Sequence, residues 1–246
     1  MESFVNELFL KKRALYAKWG SYVGMGALVL GLFTTTRYPL LAYLFMLVGL
    51  MGATFGSYMS SQYVREPRAD KRLDKALDGL DRRYAAYHYY LTSNHVLASH
   101  YGFIVLIPRA HEGEITYQGG RWQHKGGWRK MLQLFGEPGL GKPDQDLAAD
   151  VQDLKQWIDQ VMPEADIPVN GVIVMTGSNV TLHTKEAPAP VVALDNLAEY
   201  LKTGLKGQTT LTTATQKELR RVMDEVIAQA AAKPKKKKRN EQPPAA

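Results

Sequence analysis

The sequence predicts a small α/β domain that is preceded by an α-helical transmembrane hairpin. Two apolar runs, residues 19–36 and 38–59, are separated by Arg37, which is the only charged residue in this part of the chain. Each run approaches the ~20 residues that a helix needs to cross the hydrocarbon core of a bilayer. Further along the chain, short apolar runs bounded by Gly or Pro alternate with segments of helical periodicity. This alternation is typical of an α/β domain.

Composition excludes several classes of function. The 246 residues include no cysteine, so disulfides, thiolate metal sites and cysteine nucleophiles are excluded together. The net charge is +7, but residues 233–246 contain six Lys or Arg and one Glu, and residues 1–37 contain five Lys or Arg and two Glu. The body of the chain is therefore close to neutral. A protein that binds nucleic acid over a broad face would carry its basic excess there.

Residues 1–18 combine apolar and basic side chains. Phe4, Leu8 and Leu15 occur among Lys11, Lys12, Arg13 and Lys18. We expect an amphipathic helix that lies in the headgroup layer of a membrane, with its basic side chains near anionic lipid. The alternative is a disordered basic flank.

Residues 19–59 are predicted to form the transmembrane hairpin. A cleaved signal peptide would explain the first apolar run, but the second run, after so short a turn, favours a hairpin that is retained. Lys and Arg are frequent on both outer flanks, whereas the turn contains only Arg37. The positive-inside rule then places both termini and the globular domain in the cytoplasm. The expected protein is an integral membrane protein.

Small residues recur at helix-packing spacing in both predicted spans. They are Gly20, Gly24, Ala27 and Gly31 in the first span, and Gly49, Gly52, Gly56 and Ser60 in the second. Such residues let helix backbones approach closely, either within the hairpin or across a dimer interface. Neither span contains an ionisable residue, which argues against an ion or proton path through the bilayer.

Residues 60–204 are predicted to be the cytosolic domain, and residues 205–232 a linker with a C-terminal helix. The clearest strands form a hairpin, residues 96–98 and 103–107, joined at a polar turn that ends in Gly102. Further strands are predicted over residues 113–117, 170–176 and 190–194. Helices are predicted over residues 66–87, 143–162, 195–201 and 215–232.

The order of several short motifs resembles the nuclease-related domain (NERD) family. The motifs are a hairpin containing GFIVLI, a GEI strand, a GGRW element, KP at the start of a helix, GVIVMTG and PVVALDNLAEYL, all within residues 70–202. That family belongs to the PD-(D/E)xK restriction-endonuclease-like superfamily, so the resemblance implies a restriction-endonuclease-like sheet flanked by helices. In that superfamily an Asp on one core strand and a Glu-x-Lys on the next hold a divalent metal, which activates water for phosphodiester cleavage.

The resemblance also implies which residues occupy those catalytic positions. Asn94 stands at the Asp position, Ile107 at the Glu position and Arg109 at the Lys position. Because two carboxylates are lost, we expect no metal, no cofactor and no metal-dependent hydrolysis at this site. The resemblance then implies a catalytically inactive binding or scaffolding module on the membrane, since fold and function are separable.

The alternative is a membrane-tethered metal-dependent nuclease with a relocated active site. Glu112 and Glu114 follow the second hairpin strand within a few residues, and Asp70 or Asp74 on the preceding helix would supply a further oxygen. Hard divalent cations need such anionic oxygens. Glu112 and Glu114 are therefore the substitute residues to locate.

Two other patterns carry little information. Residues 136–142 match the start of a phosphate-binding loop, but Pro143 stands where a Ser or Thr should ligate Mg²⁺, and we interpret it as a first-turn residue of the following helix. The six histidines show no metal-ligand spacing and are interpreted as turn and surface residues. His95 is the one to examine for a hydrogen-bond partner. The histidines are His88, His95, His100, His111, His124 and His183.

The C-terminal segment, residues 233–246, is predicted to be a disordered polybasic tail. Three roles suit this tail: binding to anionic lipid, binding to a nucleic acid or ribosome, or making the end of the chain soluble. Because the predicted membrane is adjacent, we favour anionic lipid or another polyanion over specific nucleic-acid binding. The basic residues are Lys233, Lys235, Lys236, Lys237, Lys238 and Arg239.

Overall fold

The computed structural model describes residues 1–125, 139–204 and 209–232. An antiparallel pair of long helices, α1 (Glu7–Thr34) and α2 (Pro39–Tyr63), is followed by a mixed α/β unit. The prediction of a mixed α/β domain flanked by helices is confirmed. Its described strands are β1 (Glu2–Val5), β2 (Ala85–His88), β3 (His95–Ser99), β4 (Gly102–Arg109), β5 (Gly113–Gln118), β6 (Arg121–Lys125), β7 (Val169–Met175), β8 (Val180–His183) and β9 (Val191–Ala193).

The main sheet has six strands in the order β1-β2-β3-β4-β7-β9. Strands β2, β3 and β4 form an antiparallel meander, while β1 pairs parallel with β2, and β7 pairs parallel with both β4 and β9. A second sheet, β6-β5-β8, lies beyond the end of β4. The first two strands of that sheet are joined by Gly119 and Gly120, which both adopt positive φ angles as a tight hairpin turn requires.

Helices cover both faces of the main sheet. On one face, α4 (Pro143–Val161) and α6 (Thr213–Ala231) pack through apolar side chains of the predicted periodicity, such as Leu154 and Ile158. On the other face, α3 (Ala69–Leu77) and α5 (Leu197–Thr203) bury Leu73 and Leu77. Consecutive residues of a strand therefore face different helices.

The predicted hairpin is confirmed as β3 and β4, joined by His100 and Tyr101. Gly102 has a φ of +120°, and a Cβ atom there would lie 2.2 Å from the carbonyl oxygen of Pro168. Only glycine fits this conformation and this approach. The hairpin register is thus fixed by its turn as well as by its buried apolar side chains.

The helix predicted over residues 66–87 is wrong in its second half. Helix α3 ends at Leu77, and residues 85–88 form β2, which is buried along its whole length. Asp81 accepts a hydrogen bond from the backbone N–H of Arg83 at 2.8 Å, a local turn that competes with the helix. Pairing with β1 and β3 then satisfies the backbone of β2, and tertiary contacts override its helical pattern.

The N-terminal segment also differs from the predicted amphipathic helix over residues 1–18. Residues 2–5 form β1 at the edge of the main sheet, where the ring of Phe4 stacks on that of Tyr87 at 5.3 Å. Asn6 caps α1, because its side-chain oxygen accepts from the N–H of Phe9 at 3.0 Å. Helix α1 then runs without interruption from the basic residues into the first apolar run. The N terminus belongs to the folded domain.

Helices α1 and α2 pack through the small residues that the sequence singled out. A Cβ atom added to Gly24 would lie 2.4 Å from the backbone nitrogen of Ala53, and one added to Gly56 would lie 2.6 Å from that of Ser21. These glycines therefore close the hairpin on itself, as one of the two predicted arrangements requires. Across the described residues, α2 is the one helix that is long and apolar enough to span a membrane by length and composition.

Candidate functional site

A cleft of about 740 Å³ opens where the helical hairpin meets the end of β4. Its walls come from the last turns of α2, the segment that leads into α3, the end of β4 with the loop after it, and α4. Another cleft, of about 520 Å³, lies between β8 and β9 and has Lys185 as its one charged lining residue. The first cleft, called the junction pocket below, is lined by many more charged and polar side chains.

All three positions named by the family resemblance line the junction pocket. They are Asn94, Ile107 and Arg109. The antiparallel ladder pairs Val96 with Val105, and the same register continued by two residues places Asn94 opposite Ile107. Opposed residues on neighbouring strands have Cβ atoms about 5 Å apart. Two carboxylates at these positions would be close enough to share one ion, but an amide and an aliphatic side chain occupy them.

Arg109 lies two residues beyond Ile107 on the same face of β4. Its guanidinium forms an ion pair with Asp146 of α4, and its Nε atom is buried without a hydrogen-bond partner within the part of the chain that the structure describes. A buried donor without a partner is costly unless something else satisfies it. The unpartnered Nε atom of Arg109 is enclosed by protein, while its ion pair with Asp146 lies at the pocket wall.

Three further arginines, Arg65, Arg68 and Arg72, line the wall opposite β4. Arg68 donates two hydrogen bonds, of 3.0 and 2.8 Å, to the buried carboxylate of Asp70, which raises the pKa of Arg68. Arg72 donates to the backbone carbonyl of Thr176 at 3.2 Å and has no carboxylate partner among the described residues. Arg72 thus presents a positive charge that this part of the structure does not neutralise.

A chain of three polar side chains reaches the junction pocket from the α3 side. The Nε2 atom of His88 lies 3.0 Å from a carboxylate oxygen of Asp74, and the Nδ1 atoms of His88 and His95 are 2.9 Å apart. Both imidazoles are almost fully buried, and His95 lines the pocket. Asp74 also accepts from the hydroxyl of Ser3 at 2.8 Å, which ties β1 into the chain.

The contact between the two imidazoles is a single hydrogen bond, in which one Nδ1 atom donates and the other accepts. Burial, and next the neighbouring His88, lower the pKa of His95 well below its usual value. His95 is therefore neutral at physiological pH.

Neither substitute carboxylate lines the junction pocket. Glu112 accepts a hydrogen bond from Ser178 at 2.8 Å, while Glu114 lies in the small sheet beside Lys125 and His183. Among the described residues, no group of three or more His, Cys, Asp or Glu side chains is placed to hold a metal ion. Within the ranges that the structure describes, Glu112 and Glu114 thus have different partners and do not converge on one site.

Several sequence interpretations change in the structure. His88 and His95 are buried in strands, so the expectation that the histidines are turn and surface residues is wrong for these two. His100 does lie in the turn between β3 and β4, but it is buried, as is His111 in the loop after β4. Pro143 does occupy the first turn of α4, while residues 136–138 of the supposed phosphate loop lie outside the described residues. The polybasic tail, residues 233–246, also lies outside them.

Sequence reasoning missed His88 and Arg72 as members of the site. His88 stands at the end of a segment with a helical pattern, and its pairing with His95 appears only when β2 and β3 are aligned. Arg72 lies among alternating acidic and basic residues, a pattern that is typical of a solvated helix face. Its hydrogen bond is to Thr176 in the loop after β7, about a hundred residues further along the chain.

Three comparisons with known proteins, against family models, curated proteins and solved structures, found no match.

Proposed function

We propose that this chain is a membrane-anchored binding module with a nuclease-related, restriction-endonuclease-like domain that has lost metal-dependent hydrolysis. One observation carries the proposal: Asn94, Ile107 and Arg109, which come from two strands, converge on one pocket. The hairpin register brings the three positions together, and the pocket places them on a cleft rather than in the closed core. Their convergence supports the nuclease-related interpretation, and their chemistry supports the loss of the metal.

The arrangement of the main sheet is consistent with that interpretation. The proposed Asp and Glu positions fall at the facing ends of β3 and β4, as a core hairpin that presents two metal ligands requires. Helix α3 precedes the meander, and α4 connects β4 to the parallel strand β7. The sheet thus provides the scaffold of a metal site, while the residues at that site offer no anionic pair.

Membrane anchoring is supported by the surface of the helical hairpin. A soluble protein rarely exposes a contiguous apolar patch of this extent, and the large apolar side chains on both helices face outward. The most exposed are Trp19, Tyr22, Met25, Leu32, Phe33, Leu40, Tyr43, Leu50 and Met51. We infer that both helices span the bilayer, with the domain and both termini on the cytoplasmic side.

The hairpin is attached to the domain by a specific junction. Phe9 of α1 stacks on Tyr89 at 5.6 Å and meets Tyr63 of α2 edge to face at 5.8 Å, while the guanidinium of Arg13 lies 4.9 Å from the Phe9 ring centroid. Asn6 also donates from its side chain to the carbonyl of Tyr89 at 3.1 Å. The binding pocket is therefore held at a fixed position relative to the membrane helices.

The proposal predicts two results for the full-length chain. Alkaline carbonate should leave the protein in the membrane fraction, and the purified protein should cleave neither DNA nor RNA with Mg²⁺ or Mn²⁺. Release by carbonate would contradict the anchor. Cleavage that survives purification and is lost in Glu112→Ala or Glu114→Ala would establish the alternative, a membrane-tethered nuclease with a relocated site.

A further inference from the structure

The junction pocket lies at the depth of the lipid headgroups if α2 spans the bilayer. At about 1.5 Å per residue, the segment from Pro39 to Tyr58 is about 30 Å long, which is the thickness of the hydrocarbon core. The pocket wall begins at Tyr58 and continues through Ser61, Gln62 and Arg65. These residues follow the apolar part of the helix directly.

Aromatic residues on both helices mark the same boundary. Trp19 of α1 and Tyr58 of α2 are 61% and 46% exposed. Their levels match, because a Cβ atom on Gly20 would lie 3.3 Å from the backbone of Gly56. Exposed Trp and Tyr side chains are enriched at the interface between hydrocarbon and water. The pocket opens just beyond this belt, on the side of the domain.

The charges of the pocket favour an anion. Two of its carboxylates are already engaged, because Glu66 pairs with Lys71 at 2.8 Å and Asp146 pairs with Arg109. Arg72, by contrast, contacts a backbone carbonyl and no described carboxylate. Guanidinium groups recognise phosphate oxygens with directed hydrogen bonds.

We propose that the junction pocket binds the phosphate of an anionic phospholipid headgroup, taken from the bilayer that holds the helical hairpin. Arg72 supplies the charge and the donors for the phosphate, while the acyl chains lie along the exposed apolar surface of α2. This inference rests on the proposed membrane anchor. A soluble phosphate compound offers the same oxygens, but it lacks the acyl chains that the adjacent helix surface would bury.

Native mass spectrometry of the full-length chain tests this proposal. The protein is purified in neutral detergent with equal amounts of phosphatidylglycerol and phosphatidylcholine, and retained lipids are counted. We expect one phosphatidylglycerol to be retained preferentially. Arg72→Gln should weaken its retention about tenfold, since a hydrogen bond to a charged group is lost. Arg82→Gln, which changes an exposed arginine outside the pocket, should retain the lipid as the wild type does.

Three outcomes would overturn the proposal. They are equal retention of both lipids by the wild type, full retention by a folded Arg72→Gln variant, and loss of the lipid when residues 233–246 are deleted. Arg72→Lys serves as the folding check, because it keeps the charge and should retain part of the binding. Loss of retention in Arg72→Gln with partial retention in Arg72→Lys would support the pocket.

A soluble probe separates the two sources of phosphate. Phosphatidylglycerol should raise the melting temperature of the delipidated protein, whereas glycerol phosphate at the same concentration should leave it unchanged. An equal shift by glycerol phosphate would overturn the lipid source. If carbonate releases the chain from membranes, the proposed function fails; if the chain stays embedded but shows no lipid preference, only the present inference fails.

Discussion

The β3–β4 hairpin has two faces that differ in their tolerance of substitution. On the α4 face, Asn94 and Ile107 line the pocket at the positions where the proposed nuclease-related site would keep carboxylates. On the α3 face, His95 forms a buried chain with His88 of the neighbouring strand β2 and with Asp74, in which each member needs its neighbour. A metal site can lose its charges without loss of the fold, whereas a buried hydrogen-bonded chain cannot lose a member without cost.

The largest expected effect comes from breaking this chain. His88→Leu would leave the Nδ1 atom of the buried His95 without its partner, and would remove a hydrogen bond from Asp74. We expect a loss of about 2–3 kcal/mol in the free energy of unfolding. Thermal unfolding of the full-length chain in detergent measures this loss.

The matched control lies on the opposite face of the hairpin. Asn94→Ala should change the free energy of unfolding by no more than about 0.5 kcal/mol, because the side chain is exposed at the pocket. Equal destabilisation by the two substitutions would show that the two faces do not differ in the way described.

The second effect is a dependence of stability on pH. The pKa of His95 is lowered in the folded state, so between the unfolded value of about 6.5 and the folded value the unfolded chain binds a proton that the native protein does not. Stability should therefore fall as the pH decreases below about 6.5. His100, whose pKa is lowered mainly by burial, acts in the same direction.

Melting temperatures at pH 7.5 and pH 5.5 test this prediction in His95→Gln. This variant should lose less stability than the wild type between the two values, whereas the exposed His183→Gln should behave as the wild type does. Equal losses in the wild type and in His95→Gln would contradict the lowered pKa of His95 as the cause.

The third and smallest effect concerns the ion pair on the α4 face. Asp146→Asn removes the carboxylate partner of Arg109, but the Asp146 side chain is 55% exposed, and exposed pairs contribute about 0.5 kcal/mol. We expect a melting temperature close to that of the wild type. A large loss would mean that Arg109 supports the fold in the way that His88 does.

The same contrast explains how much of the fold was visible in the sequence. The β3–β4 hairpin, α4 and β7 were predicted because each is a long segment with a clear apolar pattern and a local stop such as Gly102. Strand β2 was missed because it has four residues at the end of a helical pattern. Strand β1 was missed because its partner, β2, lies about eighty residues away. Pairing over such a distance leaves no local signal.

The two faces of the candidate site also differ in how well the sequence predicted them. Asn94, Ile107 and Arg109 were found because motif order gave each of them a position. The link from Asp74 through His88 to His95 depends on the packing of α3 against β2, which the predicted helix over residues 66–87 ruled out. The site was therefore predicted on the α4 face and missed on the α3 face.

The most direct test of the account is Mn²⁺ binding, followed by electron paramagnetic resonance, in the wild type and in the double variant Asn94→Asp/Ile107→Glu. The variant returns carboxylates to the facing ends of β3 and β4, and its melting temperature verifies that it is folded. We predict no binding by the wild type and binding of one Mn²⁺ ion by the variant. Binding by the wild type, or none by a folded variant, would contradict the account.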